Sequence, residues 1–482
     1  MVDVRPVGYV VGILVTALGA MMLLPAAIDF LAGDRNALIF LETALITALA
    51  GALMAIACAN GVRSGLTLQQ TFLLATGTWV VLPAFGKLPF VLGAPGAGWL
   101  DAYFEAMSGM TTTGTTVFTG LDDMPRGVLL WRSILQWLGG LGIIIVALVF
   151  LPVMNVGGMQ FFRAEGFDTL GKILPRAVDI SSALIHIYVW LTALCAAAYA
   201  LMGMSGFDAV NHALTTIATG GFSTSDQSFA KFAGPVEYAA VVFMIAAGLP
   251  FLRYVQLVGG TAMPLLRDMQ VRAYLRWSFY AVAMVALYRA ATGDDSVADN
   301  IRQSAFNVVS LFSGTGYGSA DVAAWGGFPL VVVIVVGFIG ACTASTGCSV
   351  KVFRYLVLFE TIKAELRRII SPRRVVSVRL DGRPVGEDVI NAVIALFSLF
   401  LVTFLLLAIL LSLTGLESRT AITAAWTAIA NIGPVFGAEV GPTGAVDGFP
   451  DTAKLLMIAG MLLGRLELIS VLVLFLPRFW RS

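Results

Sequence analysis

Charged side chains are scarce in this sequence, at 12% of its 482 residues, whereas 58% of the residues are hydrophobic. Soluble domains carry about 25% charged residues, so water cannot be the main solvent for the surface of this chain. Apolar runs of about 20 residues recur from one end to the other, and each is long enough to cross about 30 Å of hydrocarbon. The composition therefore predicts a polytopic, all-α integral membrane protein.

Histidine and cysteine are also rare, with two and four residues respectively. No two cysteines form a C-x-x-C motif, so neither a disulfide framework nor a zinc site is supported. The sequence has no G-x-S-x-G and no H-E-x-x-H motif, which leaves a membrane-embedded hydrolase with little support. A net charge of +1 argues against nucleic acid as a partner. We expect a protein that is not an enzyme and that contacts membrane lipid.

Ten membrane crossings are predicted, with four shorter apolar segments between them. The crossings lie near residues 7–31, 37–59, 69–92, 128–154, 182–203, 236–262, 274–292, 328–358, 389–414 and 452–477. The shorter segments lie near 101–113, 207–219, 299–313 and 419–431. At about 13 residues they cannot span a bilayer, and this length fits re-entrant half-helices. The alternative is that they are surface helices on external loops.

Basic residues concentrate on one side of this predicted topology. Nine of them lie between Lys351 and Arg383. The positive-inside rule places this loop and both termini in the cytoplasm. A basic segment at 161–180, with Arg163, Lys172 and Arg176, is predicted to be an interfacial amphipathic connector. The opposite side is acidic, and an acidic outer face would concentrate cations there.

The four short segments end in related glycine-containing strings. They read MTTTGTTV at 110–117, IATGGFST at 217–224, SGTGYGSA at 313–320 and ANIGPVFG at 430–437. A hydroxyl stands six residues before one glycine of each string: Ser108 before Gly114, Thr215 before Gly221, Ser310 before Gly316 and Thr427 before Gly433. The alternative role for such glycines is helix–helix packing, which we expect for Gly139, Gly140 and Gly142.

A dehydrated K⁺ ion needs a replacement shell of oxygens, and rings of backbone carbonyls can supply it. Irregular backbone at membrane depth is tolerated only where it is buried in protein or lines a wet cavity, and glycine permits the dihedral angles required. The strings therefore predict a K⁺ selectivity filter. Its proposed residues are Thr112, Thr113, Gly114, Thr219, Gly220, Gly221, Gly314, Thr315, Gly316, Asn431, Ile432 and Gly433.

The pattern helix, half-helix, helix thus occurs four times, as parallel repeats around a pore. We expect two extra N-terminal transmembrane helices in 1–66, followed by pore repeats in 67–160, 161–265, 266–375 and 376–482. A Na⁺-coupled solute symporter is the alternative function. Symporters also use broken helices, but usually in inverted repeats.

The four strings resemble the filter loops of the Trk/Ktr/HKT superfamily of potassium transporters. The segments QWLGGLGIIIVALVFLP at 136–152 and GRLELISVLVLF at 464–475 resemble the membrane subunit of bacterial Trk systems. Glycine at all four filter positions implies K⁺ as the ion, and the chain would need no cofactor beyond K⁺ in the filter. The resemblance also implies a bacterial inner-membrane homodimer docked on a cytosolic ring of nucleotide-binding, RCK-type regulatory subunits.

The eighth predicted crossing is interrupted by GACTASTGCSVK at 340–351, which resembles the gating loop GCxGSTGGGxK of that family. Ala344, Cys348 and Ser349 replace glycines of the family pattern. The alternative is a simple kink in a long helix. The resemblance implies that gating residues include Cys342, Thr343, Ala344, Ser345, Thr346, Gly347, Lys351 and Arg465. Lys351 could instead be a positive-inside anchor.

Arg465 lies inside the last predicted crossing, where a charge costs roughly 2.5 kcal/mol or more on insertion scales. By the same resemblance it lies beneath the filter and forms an electrostatic barrier beside the gating loop. The alternatives are an ion pair with Glu467 or a snorkelling anchor. Two residues of the half-helices, Glu105 and His212, are expected to buttress the filter, although Glu105 could instead be a charge of the outer vestibule.

The predicted topology can be tested by labelling. Cysteines introduced at Arg374 and Asp122 should react with a membrane-impermeant thiol reagent from opposite faces of the membrane, because the positive-inside rule separates these two loops. Labelling of both positions from outside would contradict the ten-crossing topology.

Overall fold

The computed structural model describes residues 3–61, 66–146, 177–293, 296–373 and 376–480. Helices dominate these residues, and the only strands among them form a short antiparallel hairpin, Arg379–Leu380 with Arg383–Pro384. Most of the predicted amphipathic connector at 161–180, including Arg163, Lys172 and Arg176, lies outside the described residues, as does Arg374. The prediction of an all-α membrane protein is confirmed for the described part of the chain.

The N-terminal helices are Arg5–Met21, Leu23–Ala32 and Asn36–Cys58. The first and third of these helices pack closely along small residues. A Cβ added to Gly12 would lie 2.6 Å from the backbone N of Ala55, and one added to Gly51 would lie 2.5 Å from that of Thr16. Small residues let helix backbones approach in lipid, where burial of apolar surface gives no driving force between helices.

Each predicted half-helix is a helix in the structure: Trp99–Met110, Gly206–Ile217, Val297–Ser313 and Ser418–Ala430, called half-helices 1 to 4. They contain 12 to 17 residues, which at 1.5 Å per residue gives roughly 18 to 26 Å, less than the thickness of the hydrocarbon core. Ser205 and Ser296 cap half-helices 2 and 3, each accepting a hydrogen bond from the backbone three residues later at 3.1 Å.

Every half-helix packs against the two helices that flank it in sequence. The flanking helices are Leu68–Gly86 and Arg126–Ile145, Ala177–Leu201 and Pro235–Ala247, Met269–Thr292 and Gly327–Ile339, and Glu387–Leu413 and Asp451–Arg465.

The four repeats are arranged in a circle. Half-helix 1 also contacts Asp451–Arg465 of the fourth repeat, and half-helix 2 contacts Arg126–Ile145 of the first. Half-helix 3 contacts Pro235–Ala247 of the second repeat, while half-helix 4 contacts Gly327–Ile339 of the third. These contacts place the four half-helices around one centre.

Within the described residues, six helical segments are long and apolar enough to cross a membrane: Arg5–Ala32, Asn36–Gly61, Leu68–Leu92, Arg126–Ile145, Ser181–Leu201 and Glu387–Leu413. The third of these segments includes the short helix Leu88–Leu92, and the short helix Met263–Arg267 precedes Met269–Thr292. Of the other predicted crossings, 274–292 coincides with the 24-residue helix Met269–Thr292, which does not meet this criterion. The crossing at 328–358 begins as a helix of only 13 residues, Gly327–Ile339.

Two predicted crossings, 236–262 and 452–477, are bent helix pairs in the structure. Pro235–Ala247 meets Phe251–Val258 at 93°, and Asp451–Arg465 meets Ile469–Phe475 at 107°. The first break precedes Pro250, which has no N–H to continue a helix. At the second break Glu467 and Leu468 have positive φ angles of 59° and 42°, which the right-handed helix does not allow.

The basic segment 351–388 is also not a simple loop. The helix Val352–Ile370 fills its first half, and the hairpin follows. Arg354, counted among its cytoplasmic charges, is 1% exposed, and its Nη2 donates to Glu467 Oε2 at 2.6 Å. This arginine is therefore neutralised inside the protein instead of serving as a topology signal.

The buried carboxylate of Asp29 joins the N-terminal helices to the first repeat. It accepts hydrogen bonds from Asn36 Nδ2 at 3.0 Å and from the backbone N of Gly127 at 2.5 Å. Gly127 lies in the first turn of the helix Arg126–Ile145, where backbone N–H groups have no partner within the helix.

Asp29→Ala should therefore lower the melting temperature of the purified protein in detergent. Loss of the carboxylate leaves two buried donors unpaired, which costs about 1–3 kcal/mol each. Glu42→Ala, on the exposed face of Asn36–Cys58, is the control and should shift the free energy of unfolding by no more than about 0.5 kcal/mol. An unchanged melting temperature for Asp29→Ala would contradict the proposed role.

Candidate ion pathway

Four glycines from the ends of the four half-helices come together: Gly114, Gly221, Gly316 and Gly433. The strings that contain them are called glycine loops 1 to 4 (110–117, 217–224, 313–320 and 430–437). A Cβ on Gly114 would overlap the carbonyl oxygen of Gly220, and one on Gly221 would overlap that of Thr315. A Cβ on Gly316 would lie 2.6 Å from Gly433 N, and one on Gly433 would lie 3.3 Å from Gly114 O. The loops therefore form a closed ring of backbone, with no room for a side chain at Gly114, Gly221 or Gly316 and a tight contact at Gly433.

The backbone conformation also repeats four times. The residue two positions before each ring glycine has a left-handed backbone: Thr112 (φ 52°), Thr219 (φ 50°), Gly314 (φ 86°) and Asn431 (φ 51°). A β-branched residue with positive φ is a genuine outlier. Two threonines in this conformation indicate that the surrounding structure imposes it.

Three of the four hydroxyls identified by their spacing donate a hydrogen bond to their own glycine loop, called the hydroxyl tie. Each donates to the carbonyl seven residues later: Ser108 to Thr115 at 2.5 Å, Ser310 to Tyr317 at 2.8 Å and Thr427 to Pro434 at 2.7 Å. The fourth differs, because the Thr215 hydroxyl bonds the Asn211 carbonyl at 3.1 Å and the Tyr317 hydroxyl at 2.5 Å.

Glycine loop 2 is instead held by side chains of Arg126–Ile145. Gln136 Nε2 donates to Gly220 O at 2.6 Å, and Gln136 Oε1 accepts from Phe222 N at 3.0 Å. One turn earlier, Arg132 Nη1 donates to Ser223 O at 2.9 Å. Reasoning from the sequence missed both residues, since nothing local marks them.

A second set of contacts starts nine residues before the ring glycines. Glu105 Oε2 accepts from Val117 N at 3.0 Å, and Oε1 pairs with Arg132 at 2.7 Å; Glu105 is fully buried, so it is a buttress and not a vestibule charge. His212 Nε2 lies 3.1 Å from Ser223 Oγ.

Asn307 Oδ1 accepts from Ser319 N at 3.1 Å, at the same offset of nine residues. The sequence analysis missed this residue, although the offset shared with Glu105 and His212 would have identified it. In the fourth repeat Thr423, ten residues before Gly433, accepts from Phe436 N at 3.1 Å.

The remaining residues of the strings join neighbouring loops. Thr115 Oγ1 donates to Gly433 O at 2.8 Å, and Asn431 Nδ2 donates to Thr113 Oγ1 at 2.9 Å. Ile432 is fully buried, with its side chain in an apolar cluster that includes Trp426. Glycine loops 1 and 4 thus complete the ring by hydrogen bonds as well as by packing.

A cavity of about 450 Å³ opens on one side of the ring and is called the vestibule. All four ring glycines line it, together with residues that follow them in each loop and the carboxylates of Asp226 and Asp321. Near its rim, partial burial raises the pKa of the Asp122 carboxyl, but hydrogen bonds from Lys231, Ser225 and the Asp226 backbone outweigh this and hold that pKa below its ordinary value. The carboxylate is therefore ionised at neutral pH.

The broken loop (340–351) abuts the residues that precede the ring glycines. A Cβ on Gly314 would lie 3.5 Å from Cys348 N, and one on Gly347 would lie 2.7 Å from Ser313 O. Thr112 Oγ1 lies 3.9 Å from Cys348 Sγ. The vestibule is lined by the ring glycines and residues that follow them, whereas the broken loop contacts residues that precede them.

Hydrogen bonds from several elements hold the broken loop in place. They run from Cys342 N to Gly248 O (3.0 Å), Thr343 N to Gln270 Oε1 (3.0 Å), Phe251 N to Ala344 O (2.9 Å), Ser345 Oγ to Cys342 O (2.6 Å) and Thr346 Oγ1 to Ala247 O (3.1 Å). Ala344 and Ser349, which replace family glycines, have φ angles of 61° and 68°. Each non-glycine residue there costs roughly 1–2 kcal/mol.

Arg465 reaches the broken loop from the last repeat. It is 2% exposed, and its Nη1 donates to Thr346 O at 3.3 Å and contacts Cys348 Sγ. Its Nη2 donates to Gly139 O at 3.0 Å. The alternative ion pair with Glu467 is wrong, because Glu467 is bonded to Arg354.

Lys351 is 5% exposed and has a φ angle of 77°. The alternative in which it anchors the helix in water is therefore wrong for this conformation. The predicted packing role of the glycines after Gln136 is confirmed: a Cβ on Gly139 would overlap Met110 O, and one on Gly140 would lie 2.5 Å from the Tyr188 hydroxyl.

Comparison with known proteins agrees with this architecture. The chain is 39% identical over 480 residues to the Trk system potassium uptake protein TrkI of Halomonas elongata, covering 99% of this chain and 97% of that one. It is 34% identical to TrkH of Escherichia coli K12, covering 99% of both. The crystal structure of the potassium transporter TrkH from Vibrio parahaemolyticus matches with a TM-score of 0.90 at 32% identity over 100% of both chains.

A family model, TrkH, described as a cation transport protein, matches residues 38–482. The matched residues include all four glycine loops, the broken loop and Arg465. The protein therefore belongs to the TrkH family of cation transport proteins.

Proposed function

We propose that this chain is a channel-like K⁺ uptake protein of the bacterial inner membrane, with both termini in the cytoplasm. The observation that carries the proposal is the closed ring of four glycines, each facing the backbone of the next loop. Carbonyl oxygens in such a ring can replace the hydration shell of a K⁺ ion. The twelve filter residues named from the sequence supply this backbone.

Potassium is the ion favoured by two observations. The relatives are named as potassium uptake proteins, and all four ring positions are glycine, as expected for K⁺-selective members of this family. The acidic groups at the vestibule, Asp226 and Asp321, would raise the local concentration of cations at its mouth.

The broken loop and Arg465 are proposed to close the pathway in the conformation described. The loop abuts glycine loops 1 and 3 through Cys348 and Gly347. The buried guanidinium of Arg465, which contacts the broken loop from another helix, adds a positive charge that repels a passing cation. Opening then requires the loop and Arg465 to move apart from the ring.

A homodimer and a cytosolic nucleotide-binding ring are proposed as partners. The support is the family membership and the word "system" in the relatives' names. The helix Val352–Ile370 presents the exposed basic residues Lys363, Arg367 and Arg368, of which Lys363 and Arg368 pair with Glu360 and Glu365 of the same helix.

Arg465→Ala should raise K⁺ flux into proteoliposomes. Removing the charge removes repulsion on the order of 1 kcal/mol at an effective dielectric constant near 20, which corresponds to about fivefold in rate. Arg465→Lys keeps the charge and is the matched control, with flux close to that of the wild type. If neither variant changes flux at equal protein density, the role of Arg465 is structural only.

Gly114→Ser should weaken the preference for K⁺ over Na⁺. The new Cβ would overlap Gly220 O and displace a carbonyl of the ring, and one misplaced ligand worth roughly 1.4 kcal/mol changes relative affinity tenfold. Competition of K⁺ and Na⁺ with Rb⁺ uptake measures this preference.

Gly318→Ser is the matched control for this substitution. Gly318 also lines the vestibule, but a Cβ there meets nothing within 4 Å, so the preference should remain. An unaltered preference in Gly114→Ser would exclude Gly114 from the filter. A wild type with no preference for K⁺ would overturn the substrate assignment.

A further inference from the structure

Among the four glycine loops, only loop 2 lacks the hydroxyl tie, the hydrogen bond from the hydroxyl six residues before the ring glycine to the carbonyl seven residues after that hydroxyl. The Thr215 hydroxyl, which stands where Ser108, Ser310 and Thr427 stand in the other repeats, is bonded to the Tyr317 hydroxyl. Loops 1 and 3 have a further internal tie, between Thr111 and Thr113 and between Ser313 and Thr315, each at 2.8 Å. Loop 2 has Ala218 and Gly220 at those two positions and cannot form it.

The side chain of Gln136 supplies the missing restraint. It is fully buried, and its amide makes two hydrogen bonds to the backbone of loop 2 on either side of Gly221. Donation to Gly220 O fixes the orientation of one peptide, and acceptance from Phe222 N fixes another. A single side chain thus restrains the two peptide groups on either side of the ring glycine Gly221.

Gly220 and Gln136 are also complementary in shape. A Cβ on Gly220 would overlap the Gln136 amide, and Gly220 does not have a positive φ. Glycine is therefore needed at this position to admit the amide, since its backbone angles would allow other residues. The Gly220 carbonyl faces the neighbouring Gly114, so its orientation affects two loops of the ring.

We infer that Gln136 is a positioning residue for ion selectivity, which sets the carbonyls of glycine loop 2 in place of the hydroxyl tie used by the other three loops. This inference rests on the proposed function, because selectivity is defined only for a chain that conducts cations. It assigns to the helix Arg126–Ile145 a part in the filter beyond helix packing.

Gln136→Met and Gln136→Glu test the inference in the full-length protein reconstituted in proteoliposomes. Methionine has a similar length but forms neither hydrogen bond. Glutamate keeps the acceptor for Phe222 N but, when ionised, has no donor for Gly220 O. Both variants should lose about tenfold in K⁺ preference over Na⁺, as expected when one ligand is misplaced. The readout is competition of K⁺ and Na⁺ with radioactive Rb⁺ uptake.

Ser133→Ala is the matched control. Ser133 is buried on the same helix and donates to Asn211 Oδ1 at 2.8 Å, without a contact to loop 2. Its removal should leave the K⁺ preference within about twofold of the wild type, whatever its effect on stability.

Two results would overturn the inference. One is a Gln136→Met protein with the wild-type K⁺ preference but a lower maximal uptake or melting temperature, because Gln136 would then only stabilise the fold. The other is an equal loss of preference in Ser133→Ala. If Gln136→Met does not fold, Gln136→Glu decides by the same criteria. A wild type without K⁺ preference fails the proposed function itself and is distinguished by that measurement.

Discussion

The structure depends on one constraint: backbone that leaves a helix at membrane depth must have its polar groups satisfied inside the protein or by an ion. The four glycine loops are short stretches of non-helical backbone, so this constraint applies to each of them. The half-helices, the hydroxyl ties and the buried Glu105–Arg132 pair all serve these stretches. Side chains from the half-helices and from neighbouring helices thus hydrogen-bond the backbone of all four loops.

The four repeats meet this constraint in different ways, and the difference follows from glycine content. Loops 1 and 3 carry hydroxyl side chains that bond within the loop. Loop 2 has two consecutive glycines, Gly220 and Gly221, and hence no side chain immediately before the ring position. Its restraint must come from another element, and Arg132 and Gln136 of the preceding repeat provide it. A fourfold backbone geometry is thus held by unequal side-chain networks.

The sequence predicts the parts of this arrangement that depend on local spacing. The half-helices, the positions of the ring glycines and the hydroxyls of three repeats follow from periodicity within about 20 residues. Gln136 lies 84 residues from Gly220, and Arg354 lies 113 residues from Glu467, so no local pattern could identify those pairs. The bend before Pro250 could have been predicted from its missing N–H. The bend at Glu467 could not, since it depends on packing beneath the ring.

The broken loop shows how strain and buried charge are balanced. Ala344, Ser349 and Lys351 have left-handed backbones without being glycine, and such strain persists only where the surroundings over-determine it. Arg465 contributes to these surroundings by donating from Nη1 to Thr346 O and from Nη2 to Gly139 O. One guanidinium therefore holds the strained loop and presents a positive charge beside it. The strain favours departure from this conformation, and the hydrogen bonds of Arg465 and of the loop oppose it.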